Sequence, residues 1–277
     1  MDVFKVDLSD MHSGSSRALF QARPFTTRSG VLLQQSSLQK TLYEHWVACA
    51  NYVKAGRQGK RLVIVHNGDA IDGDHHNSHE LMTRNPKEQA DIHIELMRQF
   101  LDIVEYDHSK GDKIYYTLGT EVHTGEDEHN IAEELGAEKA DDGEPVGNVI
   151  RMEINGRMIW YAHHGKSAGY GVNEGEALRN QLKQVFFDCL TSNQRVPDMI
   201  YTAHTHKPIY NTFVRDFHTI HGVITPSWQQ KTRYAKKVAP WDKCEIGIST
   251  SEISASGAIV VHKPFTIETD FIHKVKL

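Results

Sequence analysis

The order of strand-like and helix-like segments predicts an α/β (α+β) chain in which two β-sheets pack together with helices outside them. Three observations carry this expectation. Over the first two thirds of the 277 residues, apolar runs of strand length alternate with segments of helical period. Past residue 199, strand-like pieces dominate. Between two apolar runs stands Asn155-Gly156, the strongest short signal for a hairpin.

The elements follow in order. The opening Phe4-Lys-Val-Asp-Leu-Ser-Asp10 alternates like a short strand and runs into a small-residue loop. Residues 37–55 form a helix, with Leu38, Leu42, Trp46, Ala50 and Val53 on one face and Gly56 as a stop. Residues 61–65 are a continuous apolar run, as in a buried strand, and lead into His-Asn-Gly-Asp-Ala-Ile-Asp72. Asn85-Pro86-Lys87-Glu88 starts the next helix: Asn85 is the N-cap, Pro86 the first helical residue and Glu88 the partner that bonds back. That helix runs to about Tyr106, a strand covers 113–118, and a short helix covers roughly 129–135. The hairpin pairs 148–154 with 157–162, a cap among Asn173–Glu176 begins a helix to about Leu190, and 199–203 is a strand. Further strands are expected at 208–215, 217–225, 245–250, 257–262 and 265–272. The polar stretches after 73 and over 136–147 read as long loops.

Composition narrows the function. With 24% charged and 39% hydrophobic residues the chain is globular, and residues 1–277 are read as one domain. No apolar run approaches the roughly 18 residues of a membrane span. The N-terminal Met-Asp-Val-Phe-Lys-Val-Asp is acidic where a signal peptide is basic and then apolar, so a cytoplasmic location is expected. Cys49, Cys189 and Cys244 are odd in number and widely spaced, which argues against disulfides and thiolate zinc sites. A net charge of −5 argues against a broad duplex-binding surface, and against a nucleic-acid module without chemistry.

The chain has 18 histidines, and position matters more than number. Five segments rich in His and Asp directly follow strand-like runs: Asp10-Met-His12, Gly68-Asp69-Ala-Ile-Asp72, Gly119-Thr-Glu-Val-His123, His163-His164-Gly165 and His204-Thr-His206. Ligands of open α/β sheets gather beyond the carboxyl ends of strands, so these side chains can converge. In an extended segment residues i and i+2 share a face, so Asp10 with His12, and His204 with His206, can each present two ligands. Carboxylate and imidazole without thiolate suit Mn²⁺, Fe or Zn²⁺. Six or more ligands exceed the needs of one tetrahedral ion and fit two ions about 3.5–4 Å apart.

In this order the five segments resemble the motifs of the calcineurin-like metallophosphoesterases, over about residues 4–230. Ile224-Thr-Pro-Ser-Trp-Gln-Gln-Lys-Thr232 is also similar, more loosely, to a segment of phage-encoded members. The resemblance implies a four-layer αββα sandwich of two mixed β-sheets flanked by helices. It implies that Asp10, His12 and His206 hold one divalent ion, that Asp69 bridges, and that His164 and His204 hold the second. His164, directly before Gly165, is preferred over His163. The ions expected are Mn first, with Fe, Zn or Ni as alternatives. The activity implied is hydrolysis of phosphoric esters by a metal-bound water or hydroxide.

One motif departs from the pattern. Thr120 and Glu121 stand where the family has an Asn ligand and a proton-donating His, and His123 follows two residues later. Three readings stay open: His123 is the displaced acid, oriented by the carboxylate of Asp72; it ligates the second metal in place of Asn; or the second site is crippled. The preferred substrate is a nucleotide or single-stranded nucleic acid cleaved as a diester. Phosphomonoester hydrolysis and a catalytically weakened metal-binding protein are the alternatives. Lys231, Arg233, Lys236 and Lys237, with Trp228 and Tyr234 interleaved, could hold a strand by phosphate contacts and stacking, or be a solvated face. His45, His66 and His93 read as structural, His75, His76, His79 and His129 as loop residues, and Glu126-Asp127-Glu128 as a helix start.

Overall fold

The computed structural model describes residues 1–74, 79–124, 127–166, 168–169, 171–238 and 244–269. His75, His76, Glu126 and the end of the strand expected at 265–272 lie outside the described residues. The chain enters through β1 (Val3–Leu8), a two-stranded ribbon of β2 (Phe25–Thr26) and β3 (Leu32–Leu33), α1 (Ser37–Arg57), β4 (Arg61–Asn67), α2 (Pro86–Ile103) and β5 (Lys113–Thr117). It continues through α3 (Glu121–Thr124), α4 (Asp127–Glu134), β6 (Val146–Gly147), the hairpin of β7 (Val149–Ile154) and β8 (Arg157–Ala162), α5 (Glu176–Thr191) and β9 (Met199–Thr202). It closes with β10 (Ile209–Arg215), β11 (His218–Ile224), α6 (Arg233–Val238), β12 (Glu245–Ile253), β13 (Ile259–Val261) and β14 (Phe265–Glu268).

Two mixed sheets result. The first has the order β13-β12-β1-β4-β5-β6, with β14 also on β12; the second has the order β10-β11-β9-β8-β7. In the first, β1, β4, β5 and β6 are parallel and β12 runs against β1. In the second, β8, β9 and β11 are parallel and the outer strands are antiparallel.

Period-two alternation builds four layers from these strands. Phe4, Val6 and Leu8 of β1, and Leu62 and Ile64 of β4, face the core under α1 and α2, with Leu42, Trp46, Leu96 and Phe100. Their neighbours Val3, Val63 and Val65 face the other sheet, meeting Ile159, Tyr161, Met199 and Tyr201. Ile200, Ile220 and Ile224 point the opposite way, into a third core with Leu178, Leu182 and Phe186 of α5. Between the sheets the inward positions Lys5 and Asp7 form a buried ion pair. Lys5 Nζ lies 2.6 Å from Asp7 Oδ2, Tyr161 donates to Asp7 Oδ1 at 2.7 Å, and the ammonium sits 3.6 Å from the Tyr201 ring centroid. Burial pulls the Lys5 ammonium down to about 8 against the pull of Asp7.

The caps refine the sequence reading. α1 starts in a full capping box of Ser36 and Gln39. Asn85 caps α2 with Pro86 behind it, but Glu88 does not bond back: its carboxylate accepts from Arg28 N and Thr83 Oγ1 and ties two loops to the helix. α5 starts at Gly175 (φ 82°) with no side-chain cap, and Asn173 belongs to a short 3-10 turn before it.

Candidate metal centre

The parallel run of β1, β4 and β5 places the segments after them on one sheet edge, and the parallel pair β8 and β9 does the same in the second sheet. The first two segments zip together: Asp10 N donates to Gly68 O, His12 N to Asp69 O and Ser13 N to Ala70 O. The sheets are joined at this edge by Asn67 Nδ2 on Ala162 O at 3.3 Å, His163 Nδ1 on Asn67 O at 2.7 Å and His204 N on Asp10 Oδ2 at 3.2 Å.

Five candidate ligands share an uncommon backbone. Asp10 (φ 50°), His12 (φ 42°), Asp69 (φ 56°), His204 (φ 67°) and His206 (φ 54°) are all left-handed. That conformation costs roughly 1–2 kcal/mol for a residue with a Cβ and persists where the surroundings over-determine it. The extended geometry expected for Asp10-Met-His12 and His204-Thr-His206 is therefore replaced by turns. Asp10 and His12 still share one cluster, but His204 and His206 point to different ones. The Gly119 loop presses so closely that a Cβ there would sit 2.2 Å from Asp69 N, which lets Thr120 N donate to Asp69 Oδ1 at 2.6 Å.

Four triads of potential ligand atoms, each within 4.8 Å, overlap along this edge: Asp10–His12–His206, His12–Asp69–His123, Asp10–Asp69–His163 and His163–His164–His204. Asp10, His12, Asp69 and His163 each belong to two of them. His12 Nε2 lies 3.2 Å from His206 Nε2, and His206 Nε2 lies 3.2 Å from Asp10 Oδ1. At ligand bonds of 2.0–2.1 Å, neighbouring donors on one ion stand about 3.0–3.4 Å apart, so this spacing suits a shared cation.

The hydrogen bonds sharpen the fit. His163 Nδ1 donates to Asn67 O, which fixes the ring's tautomer and turns Nε2 toward Asp69 Oδ2 at 3.1 Å and Asp10 Oδ1 at 4.0 Å. Both Asp10 Oδ1 and His163 Nε2 are buried without a hydrogen-bond partner among the described residues. Acceptor atoms facing one another in a dry site call for a cation between them, and a set of carboxylates and imidazoles fits Mn, Fe, Zn or Ni. The three cysteines are buried elsewhere. Burial acts to raise the Asp10 carboxyl, but His206 and His163 outweigh it and hold it at about 2. For Asp69, burial is likewise outweighed by His163 and His12, which hold it low. Burial acts to lower His12 and His163, and the facing carboxylates raise both, His163 to about 9.

The structure gathers Asp10, His12, Asp69, His123, His164, His204 and His206 at one edge, with Asp72 behind His12. Two details differ from the sequence expectations. The Asp72 carboxylate does not orient His123: it faces His12 Nδ1 at 3.1 Å, and the Asp72 backbone carbonyl accepts from His123 Nδ1 at 2.7 Å. And His163 joins the expected His164 rather than giving way to it: His163 is buried, His164 is exposed with its ring 4.5 Å from that of His204, and all three offer ligand atoms to one triad. The parity of β8 could have found His163, because Ile159, Tyr161 and His163 fall on its inward face.

Three residues support the centre through contacts that the sequence does not signal. Glu128, at the start of α4, is fully buried and accepts from Ala70 N at 3.1 Å and Gly119 N at 2.6 Å, tying the Asp69 loop to the Thr120 loop. Gln229 donates from Nε2 to Asp72 Oδ1 at 3.0 Å and Ser15 Oγ at 3.1 Å. Thr120 Oγ1 lies 3.3 Å from both Asp69 Oδ2 and His204 Nδ1. Trp228, expected as a stacking surface, is fully buried against Trp46 and His45, and its backbone N–H donates to Asp10 O. Nothing is described of the Tyr234 side chain. Among the described residues no helix is long and apolar enough to cross a membrane.

No protein-family model matches the chain, and no curated protein matches it. Among solved structures it is similar to a predicted phosphoesterase from Streptococcus pneumoniae TIGR4, with TM-score 0.34 and 12% identity over 92% of this chain and 84% of that one. It is similar to the NAD nucleotidase of Haemophilus influenzae, with TM-score 0.40 and 12% identity over 95% of this chain and 55% of that one. It is also similar to a zinc-complexed Vps29 from Entamoeba histolytica, with TM-score 0.38 and 12% identity over 95% of this chain and 99% of that one.

Proposed function

We propose that this chain is a calcineurin-like phosphoesterase that uses two divalent ions, Mn²⁺ foremost, and cleaves phosphodiesters of nucleotides or nucleic acid. The observation that carries the reading is the run of overlapping ligand triads, with Asp69 shared between neighbours and with buried acceptors facing one another. Asp10, His12 and His206 form one position, His163, His164 and His204 the other, and Asp69 lies between. Divalent ions there would offset phosphate charge and lower the pKa of water.

The chain's own groups prepare the rest. Asp72 holds the His12 ring through Nδ1, and Asn67 O holds the His163 ring, so each presents Nε2 to the centre. His123, with Nδ1 committed to Asp72 O, presents Nε2 as the atom that gives a proton to the leaving oxygen. The segment Ile224–Thr232, similar to phage-encoded members, supports the centre from below through Trp228 N on Asp10 O and Gln229 on Asp72.

The test is hydrolysis of bis-p-nitrophenyl phosphate and p-nitrophenyl phosphate by chelator-stripped protein with Mn²⁺ restored. Diester turnover above monoester turnover supports the proposal. Monoester preference moves the reading to a phosphomonoesterase. Bound metal without turnover on either leaves a metal-binding protein.

A further inference from the structure

The loops that carry His12, Asp72 and Gln229 run on past the centre and together wall a cavity of about 550 Å³. Arg17, Arg233 and Lys236 line it, with Ser16 and the first residues of α1, Ser37 and Leu38. The wall is built by specific bonds. Arg17 Nη2 donates to Gln230 Oε1 at 2.6 Å, Gln230 N donates to Arg17 O at 2.9 Å, and Ser16 N donates to Glu80 O at 2.7 Å. The Glu80 carboxylate also lines the cavity, where it accepts from Arg233 N at 2.9 Å and stands 3.9 Å from Arg17 Nε.

Three cations against one carboxylate leave this cavity positive in a chain of net charge −5. Arg17 Nε is buried without a hydrogen-bond partner among the described residues. Arg233 and Lys236 are exposed, and no salt bridge among the described residues takes their charge. The capping box of α1 occupies the amides of Ser36 and Gln39, so the amides of Ser37 and Leu38 at the cavity wall are left to an outside acceptor.

The cavity is also joined to the metal centre. Gln229 Nε2 bridges Ser15 Oγ and Asp72 Oδ1, and Asp72 Oδ1 faces His12 Nδ1. Three residues of chain lie between His12 and Ser16, so the four steps span at most about 14 Å. An anion held here is within reach of another phosphate of the same molecule at the centre.

We propose that this cavity is a subsite for a second, non-scissile phosphate, and that the substrate is a phosphodiester chain, a single oligonucleotide strand. The proposal rests on the phosphoesterase reading for the scissile step. Trp228 is buried in the core and offers no stacking surface here, and the cations of the subsite take backbone charge, which carries no sequence information.

The experiment compares wild type with the double variant Arg233→Ala/Lys236→Ala, and with Lys236→Glu as a second perturbation. Binding of a labelled oligothymidylate is read by anisotropy in chelator, so that it does not depend on turnover. The KM for the same strand and for bis-p-nitrophenyl phosphate is then read with Mn²⁺. The expected result is a roughly tenfold loss of strand affinity in the double variant. The salt dependence of strand binding should become shallower by about 0.7 per lost contact, and bis-p-nitrophenyl phosphate turnover should stay unchanged. Equal strand affinity and salt slope in both proteins overturns the proposal, as does competition by inorganic phosphate as strong as by the strand. If no protein cleaves bis-p-nitrophenyl phosphate but strand binding still depends on Arg233 and Lys236, the subsite stands and the phosphoesterase reading fails.

Discussion

Replacing Glu128 tests how the centre is assembled without touching a candidate ligand. Its two oxygens accept from Ala70 N and Gly119 N, so one buried carboxylate fixes the loop that carries Asp69 and the loop that carries Thr120. Glu128→Ala leaves the buried amide of Ala70 and the half-buried amide of Gly119 without acceptors. At about 1–3 kcal/mol each, the predicted loss is roughly 2–6 kcal/mol of folding stability. The freed Gly119 loop also loosens Thr120 N from Asp69 Oδ1, and loss of such outer support lowers metal affinity about 10–100-fold. The pH dependence adds a signed check. Burial pushes the Glu128 carboxyl up to about 7, against its two amide donors. A carboxyl raised in the folded state gives stability that is present in full below its unfolded pKa and is lost as pH rises through about 7. The stability difference between wild type and Glu128→Gln should therefore shrink from pH 4.5 to 7, by at most about 1.4 kcal/mol per pH unit. Urea unfolding of metal-free protein and a Mn²⁺ titration measure both effects. A Glu128→Ala protein within about 0.5 kcal/mol of wild type, with unchanged metal affinity, refutes the reasoning.

Three more predictions concern other parts of the molecule. His123→Ala should cut turnover about 10²–10⁴-fold with metal content unchanged if His123 is the proton donor; loss of an ion instead makes it a ligand. Asp7→Ala strands the buried Lys5 ammonium and should cost about 3–5 kcal/mol in urea unfolding, whereas Lys5→Met/Asp7→Leu should cost far less; equal losses would contradict the buried-pair account. Burial pushes His93 down to about 3, with its rings of contacts at Ala70 O and Tyr116. Its stabilising contribution is therefore complete above pH 6.5 and is lost as pH falls toward 3, and His93→Gln should flatten the acid limb of the stability profile.

Much of this architecture is legible in the sequence because local rules and tertiary packing agree. The Asn85-Pro86 start of α2, the apolar stripe of α1 and the Asn155-Gly156 hairpin each stand where the pattern puts them. What the pattern does not carry is pairing. β12 extends to Ile253 because β1 and β13 pair with its second half, and the two-residue β6 exists only as an edge added to β5. At the centre, motif order brings the right segments forward, but side-chain direction depends on backbone conformation that composition does not encode. The left-handed turns at Asp10, His12, His204 and His206 replace extended chain, and the Gly119-Thr-Glu-Val-His123 motif enters a helix. Glu128 was hidden because an acidic residue at a helix start has an ordinary explanation, and only the fold shows two loop amides converging on it.

The central claim is that Asp69 joins two metal positions. The most direct measurement is the metal stoichiometry of Mn²⁺-loaded wild type and Asp69→Asn, read by elemental analysis beside diester turnover. The account predicts two ions per chain in wild type, and at most one ion with no turnover in the variant. Two ions and normal turnover in Asp69→Asn, or no ion in wild type, would contradict it.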